Sequence, residues 1–406
     1  MKRIISMFFA LLLMLSCSVI AFAESSPLTE KELQAKYKKL AGTSINVYNW
    51  GEYISDGSEG VMNVNEEFEK LTGIKVNYAT YATNEDMYTT LKAGGSAYDI
   101  VIPSDYMIQR LIEEEYLEKI NFDNIPNYKN IMDEYKGLYY DPNDEYSVPY
   151  NVGMVGVIYN KKVVKGNPTS WSLLWDERYK GQILQFNNPR DGFATAMFLL
   201  GIDVNTQDEK EWRRAYAKLI EQKEVLQSYV SDEIFNKMEA GDAAVAAYYA
   251  GDYLLMKDNN PDLEFYYPEE GTNKFVDAIC IPKGCQNKEA AELYINFLLS
   301  EDVALANAEY LYYATPNKTV INNDNYSLKG NPILYPDKKD EPKTQSFENL
   351  NQYTLSLTTK LWSELKIEGA SNTAVYIKLG VVAGIALVAI IYSTAKKKKR
   401  QKLYDV

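Results

Sequence analysis

Between Ile45 and Tyr106 the chain alternates strand, loop and helix, and no other stretch constrains the fold as tightly. Ile45-Asn46-Val47-Tyr48 reads as a strand that runs into the loop Asn49-Trp50-Gly51-Glu52-Tyr53. A helical stretch ending at Gly73 follows, then the strand Ile74-Lys75-Val76-Asn77-Tyr78. A second helix opens at Asn84 and continues through Leu91. Residues Tyr98 to Pro103 form a third strand, followed by Ser104-Asp105-Tyr106. Strands alternating with helices imply an α/β fold with a parallel sheet. Such sheets bind ligands outside the carboxyl ends of their strands. Trp50, Tyr53, Ser104 and Tyr106 fall at those ends. Aromatic, acidic and hydroxyl side chains there suit an organic cation, and the loops lack the glycine pattern of a phosphate cradle.

What the chain lacks narrows the chemistry further. It has no histidine, which removes Ser-His-Asp and Cys-His catalysis and the commonest metal ligand. No catalytic residue, metal or cofactor is expected. Beyond the N-terminal segment the cysteines are Cys280 and Cys285, too few for a zinc site. A disulfide between them is open outside the cell, but Cys280 also reads as a strand residue pointing inward. Acidic residues outnumber basic ones by 56 to 43, a net charge of −13. The excess grows when the basic ends are set aside. Such a surface repels nucleic acid and attracts cations. The 34 tyrosines offer ring faces and hydroxyls to ammonium groups, although most must serve as core or surface.

The ends read as targeting segments. Met1-Lys2-Arg3, an apolar run to about Leu15 and Ala21-Phe22-Ala23 make a secretory signal over 1–23, with Cys17 leaving a lipoprotein reading open. Residues 24–44 are polar with a helical patch from Glu30 to Leu40, expected outside the core. Thr373 to Thr394 is mostly apolar and is followed by Lys396-Lys397-Lys398-Lys399-Arg400. That length suits a transmembrane helix at 373–394, and the basic cluster puts the 395–406 tail in the cytoplasm. The expectation is a single-pass protein of the cell membrane with its ectodomain outside, extracellular or periplasmic.

Between the ends, Gly153 to Tyr159 reads as a buried strand leading into a second α/β region. That region holds a helix bearing Trp171 and Trp175, a strand at Gln182–Phe186, a helix from about Gly192 to Gly201 and a strand at Ala243–Tyr249. Trp171 and Trp175, four apart, read as core. Phe275 to Ile281 leads back toward the first region, and Asn287 to Leu299 is an amphipathic helix.

Several motifs, in order, resemble the spermidine/putrescine-binding proteins of polyamine ABC transporters. They are Tyr48-Asn49-Trp50-Gly51-Glu52-Tyr53, Thr80 to Tyr88, Val101 to Tyr106, Tyr146 to Tyr150, Asn188-Pro189-Arg190-Asp191, Phe275-Val276-Asp277 and Tyr313 to Asn317. The likeness covers roughly residues 45 to 365. It implies a two-lobed, periplasmic-binding-protein-like fold of type II with hinge crossovers. Lobe 1 would hold 45–150 and 276–322, and lobe 2 would hold 151–275 and 323–369. The ligand would lie in the cleft and favour the closed state by touching both lobes.

Carried over position by position, the resemblance nominates Trp50, Tyr53, Ser104, Tyr106, Asn188, Asp191, Tyr249, Phe275, Asp277 and Tyr313, with Glu348 reaching in from the last segment. Asp277, a carboxylate on an otherwise apolar strand, is the strongest nominee. Asn188 stands where better-known members carry Asp, and Tyr249 and Phe275 where they carry Trp. Those changes remove one formal charge and reshape the groove while keeping the cation class. The implied partners are putrescine or spermidine and the permease subunits of an ABC importer, with no nucleic acid. Rival expectations are the same fold serving another organic cation or small solute, or a sensory ectodomain.

Overall fold

The computed structural model describes residues 28–94 and 97–367. The chain opens with helix α1 (Glu30–Leu40), followed by β1 (Ser44–Trp50), α2 (Val64–Thr72), β2 (Lys75–Tyr81), α3 (Asn84–Ala93), β3 (Ile100–Val101) and α4 (Asp105–Glu113). After short 3₁₀ turns come β4 (Ser147–Asn160), β5 (Ile183–Phe186), α5 (Pro189–Leu200), α6 (Glu209–Gln222), β6 (Leu226–Val230), α7 (Glu233–Glu239) and β7 (Val245–Tyr249). Then follow α8 (Ala250–Asn259), β8 (Leu263–Tyr266), β9 (Thr272–Cys280), α9 (Lys288–Leu298), α10 (Glu301–Leu311), α11 (Lys318–Asn322), β10 (Thr344–Gln345) and α12 (Gln352–Ile367).

Local chemistry sets the helix boundaries. Asn63 caps α2 by accepting from the Glu66 amide, Thr83 caps α3 through the Asp86 amide, and Asn188 caps α5 through the Asp191 amide. Gly73 and Gly201 close α2 and α5 at φ of 70° and 65°, the left-handed region where glycine has no Cβ penalty.

Two parallel strand sets flank an antiparallel pair in the order β2-β1-β3-β9-β4-β7-β5-β6. On one side β1 pairs in parallel with β2 and β3; on the other β5 pairs in parallel with β6 and β7. The long strand β4 joins them. Its first half pairs with β9 from Ser147↔Cys280 to Met154↔Lys274, and its second half pairs with β7 and β8. A third crossing is the Val152↔Ala314 bridge. Strands covered on both faces read as apolar runs, and Ile45, Val47, Ile100, Val148, Val157, Leu184 and Ala246 are all essentially inaccessible.

Several expectations need correction. The third strand shrinks from 98–103 to Ile100–Val101, because the Asp99 carboxylate binds the amides of Asn46, Gln286 and Asn287 and Pro103 has no amide hydrogen. Trp171 and Trp175 sit on a single 3₁₀ turn, although Trp171 is core as expected. The patch 30–40 is a helix, but it does not lie apart from the fold: Leu33 and Tyr37 are buried against Leu293, and Lys39 pairs with Glu289 at 3.2 Å. Cys280 and Cys285 are both free; Cys280 is buried, and the Cys285 thiol donates to Asp99. Among the described residues no helix is long and apolar enough to cross a membrane. The expected signal at 1–23, span at 373–394 and tail at 395–406 lie outside the described residues.

Candidate ligand-binding site

The carboxyl ends of both parallel sets open into one cleft. Trp50 ends β1 and Gly51 to Tyr53 follow it, Ala82 to Glu85 follow β2, and Ser104 to Tyr106 follow β3. From the other side, Asn187 to Asp191 follow β5, Ser231 and Asp232 follow β6, and Asp252 lies just beyond β7. The central strand β9 supplies the floor with Asn273, Phe275 and Asp277. The cleft encloses about 130 Å³, room for a small extended molecule.

Among the described residues its lining includes Glu52, Glu85, Asp105, Asp191, Asp232, Asp252 and Asp277, and no lysine or arginine. Asp277 is held where β9 bridges Ser104, and its Oδ2 accepts from the Tyr53 hydroxyl at 2.5 Å. Its Oδ1 is buried and, among the described residues, makes no well-aligned hydrogen bond, although the Ser104 side chain is close enough to lower its pKa. Burial pushes the Asp277 carboxyl up to about 6, against the lowering effect of the Tyr53 donor. Asp191 repeats the pattern across the cleft. Its Oδ2 accepts from Asn188 Nδ2 at 2.9 Å and from the Tyr249 hydroxyl at 3.0 Å; the Asn273 side chain lies near enough to lower its pKa, and among the described residues Oδ1 makes no well-aligned hydrogen bond. Burial again raises its pKa. Asp252 is pushed up to about 7 by burial, opposed by the Tyr313 hydroxyl donating to it at 3.1 Å. Glu85, raised by burial, accepts from the Tyr106 hydroxyl at 3.0 Å.

Asp277, Asp191, Asp252 and Glu85 therefore each meet a tyrosine hydroxyl. Tyr53 meets the edges of Tyr150 and Tyr313 at 5.8 and 5.4 Å between centroids. Tyr249 packs edge to face on Phe275 at 5.5 Å, and the Trp50 ring leans on Tyr81 at 4.7 Å while its Nε1 donates to the Ile102 carbonyl. Gly153, opposite Phe275 on β4, makes this wall possible: a Cβ there would sit 2.2 Å from the Phe275 ring. Partly dehydrated acids that lack basic partners, set among ring faces, favour a small cation with apolar spacers.

Ten of the eleven nominated residues line this cleft: Trp50, Tyr53, Ser104, Tyr106, Asn188, Asp191, Tyr249, Phe275, Asp277 and Tyr313. Glu348 does not. It is exposed, its amide donates to Asn205 and its carbonyl accepts from Arg190, and the neighbouring Phe347 faces the cleft instead. The Asn188 carboxamide oxygen caps α5 through the Asp191 amide at 2.9 Å. Asp252, Glu85 and Asp232 escaped the sequence reading. Their signal was the rule that found Trp50: each follows the end of a parallel strand.

Residues 63–333 match the family described as bacterial extracellular solute-binding protein. The spermidine/putrescine-binding periplasmic protein of Salmonella typhimurium is 35% identical over 296 residues, covering 72% of this chain and 83% of the relative. A putrescine-binding periplasmic protein of Escherichia coli is 27% identical, covering 80% of this chain and 91% of its own. Among solved structures, an ABC-transporter protein of Listeria monocytogenes superposes with a TM-score of 0.76 at 33% identity, over 80% of this chain and all of that one. The spermidine/putrescine substrate-binding protein of Streptococcus pneumoniae gives 0.67 at 30% identity, over 81% and 100%. Proteins of this family bind solutes for transport and are not enzymes. With its periplasmic-binding-protein-like sheet and a ligand-sized cleft at the strand ends, this chain belongs to the bacterial extracellular solute-binding proteins.

Proposed function

We propose that this chain captures polyamines of the putrescine and spermidine class outside the cell and delivers them to the permease of an ABC importer. The observation that carries this reading is the pair Asp277 and Asp191, each with one buried oxygen that makes no well-aligned hydrogen bond among the described residues, in a cleft that no basic residue among them lines. An ammonium group supplies the missing donors and neutralises the charge. The rings of Trp50, Tyr249, Phe275 and Tyr313 cover the methylene spacers. Relatives whose names carry spermidine or putrescine support the same class.

The elements on either side of β4 and β9 act as two lobes, divided at 45–150 with 276–322 and 151–275 with 323–369. A dication bridging Asp277 and Asp191 joins them and favours closure. Residues 373–394 hold the protein on the membrane with 395–406 inside, which keeps the captured amine close to its permease.

Titration calorimetry of the detergent-solubilised full chain with putrescine, spermidine, γ-aminobutyrate, arginine and maltose tests the substrate class. Saturable binding of the amines alone is expected; binding of an amino acid or sugar in their place overturns it. Cell fractionation tests the anchor: release of the full chain by high salt without detergent would overturn that part.

A further inference from the structure

A second cavity lies behind the strands that carry the first. Successive side chains of a strand point to opposite faces. On β9, Asn273, Phe275 and Asp277 face the cleft, so Lys274 faces away from it. Its cross-strand partner Met154 and, two residues before that, Val152 share this rear face. There a cavity of about 340 Å³ opens, within the range of roughly 300–1,000 Å³ that small-molecule sites occupy. Tyr135, Tyr267, Leu334 and Tyr335 wall it, and Glu134 and Glu341 stand among its lining with Lys274. Lys274 pairs with Glu341 at 3.9 Å, whereas exposed Glu134 has no ion pair among the described residues. Tyrosine rings around a free acid fit an aromatic body that ends in an ammonium group.

We propose that this rear cavity is a second ligand site, for a small aromatic amine, and that filling it holds the cleft narrow and tightens polyamine binding. The effect on the cleft rests on the amine reading above; the rear site does not. Both cavities are walled from the two sides of the crossing strands. Glu134 and Tyr135 precede β4, on a segment tied to the third crossing by the Met132 amide donating to the Pro316 carbonyl, while Tyr267 follows β8 on the other side. Tyr313 lines both cavities, and its hydroxyl donates to Asp252 in the cleft. Bending β4 and β9 so that one cavity narrows therefore widens the other. Here the rear space holds about 340 Å³ and the cleft about 130 Å³, so a wide rear goes with a narrow cleft. A molecule wedged in the rear favours that state, and linkage makes the two affinities rise together.

The test is titration calorimetry of the full chain in detergent with phenethylamine, with and without saturating putrescine, and with phenylacetate as the charge-reversed control. Phenethylamine should bind beside putrescine and phenylacetate should not. Each amine should lower the other's dissociation constant by the same factor, roughly fivefold or more. Ile333→Trp puts a ring into the rear cavity, so it should block phenethylamine and tighten putrescine binding unaided. Glu134→Lys, on the exposed rim, should abolish phenethylamine binding and its effect on putrescine, an independent check if Ile333→Trp fails to fold. Mutual weakening would make phenethylamine a competitor in the cleft and overturn the proposal. Absent phenethylamine binding, tighter binding of phenylacetate, or an enhancement that survives Glu134→Lys would do the same, and binding without effect on putrescine would overturn the linkage. Wild type that binds phenethylamine through Glu134 but no polyamine would instead bring down the polyamine reading and leave the rear site standing.

Discussion

Replacing Asp277 with Asn should change stability and binding in opposite directions, and the geometry gives both magnitudes. Burial lifts this carboxyl from 3.8 to about 6. Each unit is worth about 1.4 kcal/mol, so ionised Asp277 costs the ligand-free fold on the order of 3 kcal/mol at neutral pH. Because the folded value lies above the unfolded one, the penalty builds as pH rises from about 4 to about 6 and stays constant above that. Asn keeps the shape without the charge. The ligand-free variant should therefore melt a few degrees above wild type at pH 7.5 and at the same temperature near pH 4. Binding responds otherwise. The Tyr53 hydroxyl needs an acceptor at the Oδ2 position, so the new amide nitrogen takes the Oδ1 position, where the unpaired oxygen now lies. A donor then meets the ligand's ammonium in place of a charged acceptor. Losing one charge-assisted hydrogen bond is worth about 1.5–3 kcal/mol, or roughly tenfold to a hundredfold and more in affinity. Scanning calorimetry and isothermal titration with putrescine read the two effects. A variant that melts below wild type without ligand, or that binds putrescine as tightly, would refute the assignment of Asp277 as a ligand carboxylate.

Acidification should weaken amine binding, because a cation favours the ionised forms of Asp277 and Asp252, raised to about 6 and about 7. Affinity should fall at least tenfold between pH 7.5 and 5.5 with proton release on binding, and a flat profile would count against both groups. Gly153→Ala drives a methyl group into the Phe275 ring, so putrescine affinity should drop by about tenfold or more while circular dichroism stays unchanged. Unaltered binding would mean that Phe275 does not touch the ligand. Trp50→Ala should weaken binding more than about tenfold, within reach of one cation–π contact plus lost spacer burial. An unfolded variant would instead make Trp50 a core residue, held by Tyr81 and the Ile102 carbonyl.

Much of this cleft was legible in the sequence because it is built at strand ends, and strand ends are visible as apolar runs that stop. Trp50, Ser104 and Tyr106 follow from that rule alone. Asp252 and Glu85 obey the same rule, but each lies on the first turn of a helix, where an acidic residue also reads as a complement to the helix dipole. Glu348 was one position off. In extended chain successive side chains point to opposite faces, so a slip of one residue exchanges Phe347 in the cleft for a carboxylate in solvent. The docking of α1 was also readable, since Leu33 and Tyr37 four apart make an apolar stripe, but the surrounding lysines and glutamates hid it. The length of β4 was not readable. Pro149 and the irregularity between it and Asn151 break the period inside the half that pairs with β9, before the half that pairs with β7 begins at Val155.

The central position of β9 governs the order in which the molecule can form. β3 and β4 are not neighbours: β9 lies between them, with Cys280 pairing to Val101 on one side and to Ser147 on the other. The edge of β3 therefore stays open until about 280 residues have left the ribosome, and the first parallel set is capped only by a strand from far along the chain. Loop closure over that separation is slow, and folding rates fall as contacting residues lie farther apart in sequence. A nascent chain of this topology remains incompletely folded through most of its synthesis. Late closure of its own sheet is the property that export as an extended thread, the expectation for the N-terminal segment, would require.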